Sequence, residues 1–119
     1  MNHFHFGTDR VVETSQFYEK YFGFSKILEL GSTLVLRNAK DFILAIDPLE
    51  RGASNPCENS ALHLGFVLKD RSEVNRVFDL MRDEKLGSLG SLLSPTPKVL
   101  HFYCNDPAGN RLEIGWYSF

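Results

Sequence analysis

From Arg111 to Trp116 the chain alternates without a break. Leu112, Ile114 and Trp116 fall on one side and Arg111, Glu113 and Gly115 on the other, the pattern of a half-buried strand. The five residues before it, Asp-Pro-Ala-Gly-Asn at 106–110, carry turn chemistry: Pro107 fixes φ, and Gly109 and Asn110 tolerate positive φ. The same reading extends along the chain. Residues 2–8 alternate, with His3, His5 and Gly7 on one face and Phe4, Phe6 and Thr8 on the other. Residues 13–22 switch to helical period, placing Thr14, Phe17, Tyr18 and Tyr21 on one stripe, and Gly23 ends the helix. Strands are predicted at 25–30, 32–37 and 41–47, separated by Gly31 and by Asn38-Ala39-Lys40.

Residues 48–60, rich in Pro, Gly, Ser and Asn, read as a linker. A strand follows at 61–68. A helix is expected at 70–86, with Val74, Val77, Phe78 and Met81 inward, Asp70 and Glu73 as a capping box, and Gly87 closing it. Residues 88–96 are irregular, with room for a short edge strand, and 98–105 pairs with 111–117 as a hairpin. Adding 60 maps His3 onto His63, Phe17 onto Val77, Tyr18 onto Phe78 and Tyr21 onto Met81. The halves therefore repeat. The expected fold is α+β in a single domain: paired βαβββ modules at 1–50 and 61–119, their two mixed sheets curled around a cavity with the helices outside.

Composition narrows the function. With 119 residues the chain has room for one core, and a net charge of −2 without a basic block argues against nucleic acid or an anionic membrane surface as partner. No apolar run approaches the roughly 20 residues of a membrane span. Cys57 and Cys104 lack CxxC spacing and, with no signal peptide visible, read as reduced thiols of a cytoplasmic protein.

The chemistry turns on Glu113. A carboxylate within an apolar strand needs a partner, because burying it unpaired costs several kcal/mol. His3 and His63, at matching places of the repeat, are candidates. Two imidazoles and one carboxylate form a facial set that holds a divalent metal with positions left open for substrate. Against this, a single strand histidine is ordinarily a core or surface residue. His5 shares the face of His3 and reads as a cavity-lining residue, an extra ligand or an exposed one. His101 and Tyr103 share another face, where Tyr103 either donates to a substrate oxygen or is a core tyrosine. Segments 48–60 and 87–96 are possible lids. Arg51 and Lys98, in or beside them, are either solvated charges or contacts for an anionic substrate.

NHFHF, ETSQFYEKYFGF, ALHLGF and DPAGNRLE, taken in order, resemble the vicinal oxygen chelate superfamily. It includes glyoxalase I, fosfomycin-resistance thiol transferases, bleomycin-binding proteins, methylmalonyl-CoA epimerase and extradiol dioxygenases. The resemblance covers essentially the whole chain. It implies a divalent metal (Fe, Mn, Ni or Zn) held by His3, His63 and Glu113, and a homodimer across which the site is completed in several members. Glyoxalase I has a fourth ligand where this chain has Ala45, with Asp47 two residues on as a poor substitute, and an arginine where it has Gly7. The dioxygenases match at Tyr103 but need a histidine where this chain has Ser94-Pro95-Thr96. The fosfomycin transferases carry a threonine at the place of His5, and their phosphonate-binding lysine has no clear counterpart.

The leading expectation is a metal-dependent enzyme acting on a small oxygen-bearing substrate by lyase, isomerase, thiol-transfer or dioxygenase chemistry, with Tyr103 and His5 as the catalytic candidates. The alternatives are a metal-free module that sequesters an antibiotic, as bleomycin-resistance proteins do, and a non-catalytic dimer that keeps the fold.

Overall fold

The computed structural model describes residues 3–53 and 63–118. Nine elements follow in order: β1 (His3–Thr8), α1 (Val11–Phe22), β2 (Ser25–Leu30), β3 (Thr33–Arg37), β4 (Ile43–Pro48), β5 (Leu64–Val67), α2 (Arg71–Asp83), β6 (Val99–Asn105) and β7 (Arg111–Tyr117). The chain divides into two compact units, residues 1–60 with 106–110 and residues 61–105 with 111–119. Residues 54–60 of the predicted linker, and Cys57 with them, lie outside the described residues.

In the first unit the sheet order is β1-β4-β3-β2. β1 runs parallel to β4, with His5 opposite Ala45 and Gly7 opposite Asp47, and the β4-β3-β2 pairings are antiparallel. Alternation gives each strand a core side. Phe6, Leu36, Leu44 and Ile46 are buried there, together with Phe17, Tyr18 and Tyr21 of α1. Thr14, Phe17, Tyr18 and Tyr21 all lie on the buried side, as their spacing predicts, and Gly23 takes the left-handed conformation at φ 68° and caps the helix. The other side of this sheet carries His3, His5 and Gly7 on β1 and Ala45 and Asp47 on β4.

In the second unit the order is β5-β7-β6, with β5 parallel and β6 antiparallel to β7. Phe66, Leu100, Phe102, Leu112 and Ile114 pack with Val74, Val77 and Met81 of α2, while Phe78 meets the Phe102 ring edge-on at 5.3 Å between centroids. The opposite face presents Gly65, Glu113, Gly115, Tyr117, His101 and Tyr103. Residues 88–93 form no strand, so the second unit is βαββ where a second βαβββ module was expected; a single bridge to β6 stands in its place. Leu93 exchanges two backbone hydrogen bonds with His101, of 2.8 and 2.9 Å, and Gly90 donates to the Tyr103 carbonyl.

Two further expectations need correction. α2 ends at Asp83, before Gly87. Lys85 adopts φ 58°, and the Leu86 amide reaches back to the Met81 carbonyl, so a Schellman-type turn closes the helix around a lysine. His63 is not mid-strand; it stands immediately before β5. Among the described residues no helix is long and apolar enough to cross a membrane.

Candidate functional site

Each unit carries a polar cluster on the sheet face away from its helix. In the second unit the cluster is built around Glu113. β7 places this carboxylate in the middle of the sheet, opposite Gly65 on β5 and Tyr103 on β6. Gly65 leaves the β5 side of Glu113 clear of a side chain. Only 16% of the Glu113 side chain is exposed, and three donors compensate it. His63 Nε2 lies 2.8 Å from Oε2. His101 Nδ1 lies 3.2 Å from Oε1. The Tyr117 hydroxyl donates to the same Oε1. Burial pushes the Glu113 carboxyl up, but the Tyr117 bond and the His101 and His63 imidazoles outweigh it and hold it below the ordinary carboxylate range. The Tyr117 hydroxyl is pushed up in turn, by burial and by the carboxylate it serves.

Tyr103 borders the cluster. Its ring meets those of His63 and His101 edge-on, at 5.7 and 5.5 Å between centroids, and the Arg111 guanidinium lies over it at 4.5 Å.

In the first unit the cluster centres on Asp47. His5 Nε2 is 2.7 Å from Asp47 Oδ2, and the Thr33 hydroxyl donates to Oδ1. The Thr33 bond, then the His5 bond, hold the Asp47 carboxyl below its ordinary value against a smaller desolvation. A carboxylate on Nε2 selects the tautomer protonated there, leaving Nδ1 as the acceptor nitrogen. Asp47 thus orients His5. His3, on the same face, opens β1 opposite Ile43 and is exposed.

Of the expected ligands, His63 and Glu113 are brought together and His3 stands in the other unit. The pair fits a cation chemically: an imidazole nitrogen and a carboxylate oxygen side by side at an accessible face, with the imidazole 39% exposed. Among the described residues no group of three His, Cys, Asp or Glu side chains is gathered to hold an ion. Two members of the Glu113 cluster carried no assigned role in the sequence. His101 was visible only as the strand neighbour of Tyr103. Tyr117 was missed, although the Glu113-Gly115 alternation, continued by one step, puts it on the same face.

No family model and no curated protein sequence matches the chain. Solved structures do. A possible glyoxalase from Bacillus cereus is similar at 23% identity, over 96% of each chain, with a TM-score of 0.74. A lactoylglutathione lyase from Agrobacterium tumefaciens is similar at 19% identity, over 98% of this chain and 92% of that one, with a TM-score of 0.72. The fosfomycin resistance protein FosX from Listeria monocytogenes is similar at 13% identity, over 100% of this chain and 93% of that one, with a TM-score of 0.81. At these identities the likeness is one of fold: the chain shares the α+β fold of these glyoxalase, lactoylglutathione lyase and fosfomycin resistance structures.

Proposed function

We propose that this chain is a divalent-metal-dependent enzyme acting on a small substrate with vicinal oxygens, and that the His63–Glu113 pair is the centre of its site. The observation that carries this reading is the 2.8 Å approach of His63 Nε2 to a carboxylate set mid-strand between Leu112 and Ile114. His63 and Glu113 would hold the ion, with His3 as third ligand. A bound divalent ion supplies Lewis acidity toward substrate oxygens. The chain's own residues supply the rest. His5, oriented by Asp47, keeps an acceptor nitrogen for a proton. Tyr103 offers a hydroxyl to orient a substrate oxygen. The fold shared with a lactoylglutathione lyase and with FosX supports a small oxygenated substrate. The reading includes a homodimer in the cytoplasm; β2, at the margin of its sheet, leaves Ile27, Leu28 and Leu30 exposed, which supports association.

Metal analysis of protein purified without a His tag tests this. Near-stoichiometric Mn, Fe, Ni or Zn is expected, and His63→Ala should abolish it; unchanged metal in the variant sinks the assignment. A second reading, a metal-free binding module, is favoured by one observation: His63, His101 and Tyr117 already compensate Glu113 without an ion. A calorimetric ligand screen on chelator-treated protein separates the two, because a pure binder loses nothing on chelation.

A further inference from the structure

β7 carries Glu113, Gly115 and Tyr117 on one face. Four residues along a strand span roughly 13 Å, beyond the reach of a tyrosine held upright. The Tyr117 hydroxyl nevertheless donates to Glu113 Oε1. Its ring therefore lies back along the strand, across residue 115. What makes this possible is the absence of a side chain there. A Cβ on Gly115 would stand 3.1 Å from both Cε2 and the hydroxyl oxygen of Tyr117 and 3.0 Å from the His101 Cβ. The glycine sits mid-strand, where glycine weakens a sheet unless something must pass close by, and here both the Tyr117 ring and the His101 Cβ do.

The consequence falls on the carboxylate. Its two oxygens are treated differently. Oε1 accepts from Tyr117 and His101, while Oε2 faces His63. A carboxylate without such a clamp rotates about its terminal torsion, which is broad and nearly two-fold. With Oε1 tied on one side, the group presents a single oxygen, Oε2, beside the imidazole.

We propose that Tyr117, lying across Gly115, is a positioning residue that fixes Glu113 so that only Oε2 is offered beside His63. The role rests on the proposed metal-binding function of that pair. Groups that orient a ligand in this way change metal affinity by about 10–100-fold when removed.

The test uses the full chain, stripped of metal and titrated with Co²⁺, comparing wild type, Tyr117→Phe, Gly115→Ala and His63→Ala. Far-ultraviolet circular dichroism checks that each variant is folded. Tyr117→Phe keeps the ring and removes only the hydroxyl. It should weaken Co²⁺ binding about 10–100-fold and alter the visible absorption of the bound ion, a signature that loss of packing alone does not move. Gly115→Ala should act in the same direction by displacing the ring. Wild-type affinity and an unchanged spectrum in Tyr117→Phe overturn the positioning role while leaving the metal site standing. If the wild type itself binds no Co²⁺, or if His63→Ala binds as the wild type does, the metal reading fails and this role fails with it.

Discussion

Asp106 is 5% exposed at the head of the β6–β7 turn. The Tyr18 hydroxyl donates to its Oδ2 at 2.5 Å, the Asn110 side chain donates to Oδ2 and the Asn110 amide to Oδ1. Burial raises the Asp106 carboxyl above its ordinary value, and these bonds only partly offset the rise. The sign of the pH effect follows. Between the ordinary and the raised value the folded chain holds a proton that the unfolded chain has released, so stability falls as pH rises through that window. Urea unfolding across the acidic range should show this slope, and Asp106→Asn should flatten it; an unchanged slope in the variant contradicts the assignment. Tyr18→Phe leaves a buried carboxylate short of a donor and should cost about 1.5–3 kcal/mol in the same assay at neutral pH. The sequence marked 106–110 as a turn from Pro107, Gly109 and Asn110. It did not mark Asp106 as the buried acceptor for Tyr18, because the pairing spans 88 residues. Glu113 was legible for the opposite reason: its own strand sets a carboxylate between Leu112 and Ile114, where it needs a polar partner.

The elements that strict periodicity predicts are the ones found, and the deviations lie at their ends. α1 begins at Val11, two residues before its expected start, and α2 ends three residues short of 86. The Asp70 side chain accepts from the Glu73 amide at 2.9 Å, as the capping box predicts. At the C-terminus glycine was the natural stop signal, and Gly87 stood nearest. The turn instead closes around Lys85 in a conformation that costs an L-residue about 1 kcal/mol. Lys85→Gly should therefore stabilise the chain by roughly 0.5–1 kcal/mol. Equal or lower stability on urea unfolding would show that the lysine is not strained there. Residues 88–93 lacked a readable period because their order comes from pairing. Backbone bonds from Gly90 and Leu93 to β6, and Ser88 bridging to Asn105, hold them. Of the two segments expected as lids, this one is anchored along the strand that carries His101 and Tyr103.

For the whole molecule, the repeat of 60 was the most informative signal. Adding it to β1 and α1 lands on β5 and α2 within one residue at each end. It makes His63 the counterpart of His3 from spacing alone. It could not reveal that Glu113 is met by His101 and Tyr117, since those approaches depend on how side chains lean across β7. Nor could it relate His5 to Asp47, which are 42 residues apart and joined only by the parallel pairing of β1 with β4. The proposed homodimer also belongs to this scale. Sedimentation should report twice the 13.6 kDa of one chain, and Leu30→Lys on β2 should weaken association; a monomer at tens of micromolar contradicts it. Whether His63 and Glu113 together hold a divalent cation can be read from crystals grown with MnCl₂ and measured for anomalous scattering. A strong anomalous peak ligated by His63 Nε2 and Glu113 Oε2 is expected. An ordered Glu113 still bonded to His63, His101 and Tyr117, with no peak beside it, would contradict the assignment.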